Sequence, residues 1–137
     1  MSKQLEVVRW IVVDEVRYGW KVTHDHIPGP APGERLCVEH FLAFREGTVK
    51  APLRIFFTAG PGGCHLDHGG VFAHALQKPV NLHLPRTVTA LIRRAVELGW
   101  PADQPMTVDE GFDFLSTLPP EVLSYITEPF TPAAKPA

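Results

Sequence analysis

The chain lacks most of the features that classify a protein quickly. It has two cysteines, Cys37 and Cys64, in 137 residues. That is too few for a disulfide framework, so free thiols and a cytoplasmic location are the expectation. No apolar run approaches the ~20 residues of a membrane span. The opening MSKQLEVVRW lacks the charged, apolar and small-residue zones of a signal peptide. A large excess of charge of one sign is also missing. Lys plus Arg is 13 and Asp plus Glu is 15, a net charge of −2. Neither a nucleic-acid nor a membrane partner is therefore expected. No Gly-Lys-Ser/Thr follows the glycine-rich stretch, and no serine-nucleophile motif, paired-carboxylate motif or dinucleotide fingerprint can be argued. These absences favour a protein without catalytic activity.

What is present describes an architecture. Leu5–Val13 is rich in β-branched residues and reads as a strand, with a turn at Asp14-Glu15. Val16–Thr23 alternates apolar and polar, the pattern of a half-buried antiparallel strand. The proline- and glycine-rich Ile27–Arg35 is a loop. Leu36–Phe44 and Pro52–Ala59 are further strands, and Val80–Leu84 is a short fifth one. The period then changes. Val88, Leu91, Ile92, Ala95 and Val96 form one stripe of an amphipathic helix, with Pro85 in its first turn and Gly99 placed to end it. Thr107–Glu110, TVDE, reads as a capping box for a short helix burying Val108, Phe112 and Leu115. PPEVLSYI is another short helix. Strands first and helices last predict an α+β fold: an antiparallel sheet of four to five strands, an N-terminal meander, with C-terminal helices packed on one face. One domain over residues 1–128 and a mobile tail over 129–137 are expected.

Charge is unevenly placed. Residues 51–100 carry Arg54, Lys78, Arg86, Arg93 and Arg94, whereas 101–137 carry Asp103, Asp109, Glu110, Asp113, Glu121 and Glu128. Mutual neutralisation of neighbouring segments is the simplest reading.

The densest cluster of reactive atoms is GPGGCHLDHGG, Gly60–Gly70. Cys64, His65, Asp67 and His68 are ligand types that zinc accepts, but four ligands within five residues do not converge unaided. His24 and His26 share a face of an extended segment and are the best outside complement. Cys37 and His40 are an odd number apart and point to opposite faces of a regular strand. A mobile, metal-free glycine loop is expected, with a zinc-dependent or thiol enzyme built on His24, His26, Cys64, His65, Asp67 and His68 as the alternative. Arg86 is a cation in the first turn of a helix; an anion near His83, Arg86 and Thr87 would explain it, but the penalty is only about 0.3–1 kcal/mol and a tolerated mismatch is the expectation. Finally, Trp10, Phe41 and Phe56 read as an apolar face left open by the helices. On that basis the chain is expected to be a small binding or interaction module. It would self-associate as a homo-oligomer through this face, or hold a protein or small apolar ligand on it, with no cofactor.

Overall fold

The computed structural model describes residues 8–58, 70–73, 78–101 and 103–127. The first hairpin joins β1 (Arg9–Val13) to β2 (Val16–Pro28) through Asp14 and Glu15, whose φ angles are 52° and 71°. Two successive left-handed residues match the twist of a two-residue hairpin, although neither is glycine. Asp14 has compensation, because its carboxylate accepts two hydrogen bonds from Arg93 on the first helix.

The meander continues through β3 (Arg35–Arg45) and β4 (Leu53–Thr58), and β7 (Met106–Val108) completes the sheet in the order β1-β2-β3-β4-β7. All pairings are antiparallel except the last, in which β7 runs parallel to β4. The expected fifth strand at Val80–Leu84 lies elsewhere. β6 (Lys78–Asn81) pairs with β5 (Gly70–Ala73) in a separate two-stranded sheet. The parallel strand also displaces the capping box. Thr107 pairs with Arg54 inside the ladder, and the following helix has Glu110 at its N-cap, with no side-chain cap hydrogen bond.

Three helices cover one face: α1 (Pro85–Glu97), α2 (Gly111–Ser116) and α3 (Pro120–Thr127). Val88, Leu91, Ile92 and Ala95 of α1 are buried in one core with Trp20, Phe41, Leu53, Ile55 and Phe57 of the sheet. Val96, expected on this stripe, is 46% exposed because it sits at the solvent edge of the last turn. Gly99 ends α1 as expected, with φ of 112°. Its amide donates to the Val96 carbonyl and that of Trp100 to the Ala95 carbonyl. This pair of hydrogen bonds closes a Schellman motif. In α2 the buried residues are Phe114 and Leu115, while Phe112 packs partly against the core. Gly111 sits where a Cβ would fall 2.6 Å from the Phe56 carbonyl oxygen and 2.6 Å from the Phe57 ring. The absence of a side chain is what lets α2 start directly on β4.

The segment 129–137, expected as a tail, lies outside the described residues. Among the described residues no ion pair joins the basic and acidic segments. Arg93 pairs with Asp14 and Arg94 with Glu97 instead.

Candidate metal centre

The site is built by the hairpin of β2 and β3. Its connection is closed by the Gly29 amide donating to the Glu34 carbonyl and the Ala31 amide donating to the Glu34 carboxylate, with Gly33 at φ 78°. Pro28, which has no amide hydrogen, pairs with Arg35 at the last rung. That closure fixes the register. His26 falls opposite Cys37, and His24 opposite Glu39. Directly paired residues of an antiparallel ladder share a face, so these four form a square on one side of the sheet. It is the helix-covered side. Trp20 and Val22 precede the histidines on β2, and Phe41 and Ala43 follow the cysteine and glutamate on β3.

One candidate ligand atom from each of His24, His26 and Cys37 lies within 4.8 Å of the others. The two imidazoles meet edge to face, with ring centres 4.9 Å apart and planes at 77°. Burial is graded: Cys37 is buried, His24 half-buried and His26 exposed. The Glu39 side chain is 0% exposed and its carboxylate contacts Nδ1 of His24. A buried carboxylate is costly unless it is paired. The pairing also bears on the tautomer. With Nδ1–H donating to Glu39, Nε2 of His24 would be the nitrogen with the acceptor lone pair. Phe57 flanks Glu39 on β4, and Phe112 of α2 packs edge-on against Phe57 with centres 5.5 Å apart. Low-dielectric walls of this kind strengthen the carboxylate–imidazole contact.

Cys37 is disulfide-bonded, which overturns the expectation of free thiols at this position. A sulfur in that state offers no thiolate to a metal, so ligation through Cys37 belongs to the reduced form.

Of the residues singled out from sequence, His24 and His26 are brought together, and Cys64, His65, Asp67 and His68 lie outside the described residues. Cys37 enters the cluster through His26, not His40. His40 is on the opposite face, stacked on Phe56 with ring centres 4.4 Å apart and planes at 4°. Glu39 was not anticipated. The signal that could have found it is parity: on β3, residues 37 and 39 share a face just as 24 and 26 do on β2.

The expected open face needs one correction. Phe41 is 0% exposed, paired with Val22 and Ile55 in the helix-covered core. An odd number of residues separates it from His40, so it cannot share the face of Phe56. Trp10 is on the uncovered side and 44% exposed. The Phe44 ring meets it edge-on at 5.7 Å and the Arg17 guanidinium lies 4.2 Å from its centre. The suggested anion trio also separates: Thr87 is fully buried, and His83 packs against Trp20.

Among the described residues no helix is long and apolar enough to cross a membrane. Compared with protein-family models, with curated proteins and with solved structures, the chain shows no match in any of the three.

Proposed function

We propose that the reduced protein binds a transition-metal ion, zinc first, through His24, His26 and the thiolate of Cys37. The observation that carries this reading is the convergence of one candidate ligand atom from each of the three residues within 4.8 Å, with a fully buried carboxylate on Nδ1 of His24. Imidazole and thiolate together suit zinc. Zn–N distances of about 2.0–2.1 Å and Zn–S of about 2.3 Å put tetrahedral ligand atoms roughly 3.3–3.7 Å apart. The set therefore has about 1 Å to close, and the exposed ring of His26 is the ligand with room to move. The convergence of His24, His26 and Cys37 on the β2–β3 hairpin supports the metal-dependent alternative of the sequence reading more directly than a module without chemistry.

The test is metal uptake by untagged protein reduced with a phosphine. Stoichiometric zinc, and a thiolate-to-cobalt charge-transfer band on cobalt substitution, are expected. Cys37→Ser should lose the band, and His24→Ala should weaken zinc binding. No uptake by the reduced protein, or uptake indifferent to both substitutions, would overturn the proposal.

A second reading keeps self-association through the open face. Its support is the exposed Trp10 and Val12 on β1, which lies at one end of the strand order and carries both on the uncovered side. Sedimentation at micromolar concentration should then show a homodimer that Trp10→Ala dissociates, and a ~15 kDa species for the wild-type chain would refute it. The expectation of a cytoplasmic protein rested in part on free thiols. The bonded Cys37 removes that support and favours an oxidising compartment or a redox-responsive site.

A further inference from the structure

The face of α1 turned away from the sheet borders a groove. Arg86, Arg93, Arg94 and Glu97 lie on one stripe and line a cavity of about 290 Å3 closed on the other side by α3, chiefly Val122 and Tyr125. The volume is at the lower edge of the range for small-molecule sites and too small for a helix or a folded partner.

The three arginines are not equivalent. Arg93 is held by Asp14, and Arg94 donates to Thr117 and Glu97. Arg86 has no ion pair among the described residues. Its guanidinium carbon lies 5.3 Å from the centre of the Tyr125 ring, and its Nε is enclosed with no hydrogen-bond partner. An enclosed guanidinium donor without an acceptor costs free energy unless a ligand supplies one. No acidic residue occupies the first turn of α1, so the helix itself provides no counter-charge there.

From these observations we infer that the groove between α1 and α3 binds a small organic anion: a carboxylate or phosphate group on a flat apolar body. The oxyanion accepts hydrogen bonds from the fork of Arg86, whose geometry matches two oxygens. The apolar body lies along Val122 and the Tyr125 ring, whose face also supports the arginine. Arg93 and Arg94 are already paired and contribute field more than contacts. This site is independent of the metal reading, because the groove and the β2–β3 square share no residue.

The experiment is a calorimetric titration of the full chain with benzoate, phenyl phosphate, inorganic phosphate and benzyl alcohol at fixed ionic strength. The preferred probe among benzoate and phenyl phosphate identifies the head group. Saturable binding of at least one of them, tighter than inorganic phosphate and absent for benzyl alcohol, is expected. Arg86→Gln should weaken it at least tenfold with the melting temperature little changed, and Tyr125→Leu should narrow the advantage over inorganic phosphate. Equal binding by wild type and Arg86→Gln overturns the proposal. So does equal binding of the organic and inorganic anions, which would mark a nonspecific basic surface. Binding of benzyl alcohol as tightly as benzoate would make the groove merely apolar and overturn it as well.

Discussion

Replacing Glu39 by glutamine separates two roles that a buried carboxylate can have. The side chain is fully buried, its contact is Nδ1 of His24, and the His24 side chain is 19% exposed. Glutamine keeps the shape and an oxygen that accepts the Nδ1 proton, but removes the charge. Without metal, loss of a buried charge relieves desolvation and leaves no isolated ion behind, since a neutral imidazole needs no counter-ion. Apo stability should therefore stay within about 1 kcal/mol of wild type or rise. With metal the sign reverses. A carboxylate behind a ligating histidine raises its basicity and fixes its ring, and losing such a partner costs about 10–100-fold in affinity, or roughly 1.4–2.8 kcal/mol. Urea denaturation in chelator gives the first quantity, and competition with a zinc indicator under reducing conditions gives the second. Unchanged zinc affinity combined with an apo loss of about 3 kcal/mol or more would mean that Glu39 is half of a structural ion pair, and would refute the argument.

The core makes further demands. Leu91→Ala, at a position with no exposed surface, should cost about 2–5 kcal/mol in denaturant unfolding, whereas Val96→Ala should stay within about 0.5 kcal/mol. Equal losses at both would mean that α1 presents a different face to the sheet. Gly111→Ala should destabilise by about 1–3 kcal/mol, as the added methyl meets backbone and ring atoms that cannot both move aside. The hydrogen bonds from Arg93 hold the Asp14 carboxyl below its ordinary value of 3.8. Its contribution to stability is therefore present above that value and lost as pH falls through the lowered one. A carbon-detected titration should find the depressed midpoint and its return toward 3.8 in Arg93→Gln, and the depression should shrink in high salt because both side chains are exposed. An Asp14 midpoint unmoved by Arg93→Gln would show that the pair is not formed in solution.

Much of the fold was legible because it rests on local signals. Period two in Val16–Thr23, period 3.6 in α1, Pro85 and Gly99 each act through a few neighbours. The misreadings came where a distant partner decided. TVDE has the spacing of a capping box, but β4 offered Thr107 a ladder, and the ladder prevailed. VNLHL has a strand pattern that does not state which sheet it joins, and only its first two residues fall in β6. At the candidate site, the shared face of His24 and His26 is a property of one strand and could be read directly. Their convergence on Cys37 and Glu39 is a property of hairpin register. That register depends on where a loop rich in proline and glycine closes, and composition alone does not locate the closing pair. Phe41 was assigned to the wrong face for the same reason: its strand was identified, but not which parity faced the helices.

The square of His24, His26, Cys37 and Glu39 has a consequence for the order of events during synthesis. Only 15 positions separate His24 from its carboxylate partner, so the whole square belongs to a single antiparallel hairpin. Contacts of such short range form early, because little loop entropy opposes them. The core that buries Glu39, by contrast, waits for β4 and for α2, which are translated later. The candidate ligand residues are thus aligned on a two-stranded ribbon while the carboxylate is still hydrated. A metal ion captured at that stage would pin the register before the helices arrive, and the rest of the chain would fold onto a template already fixed.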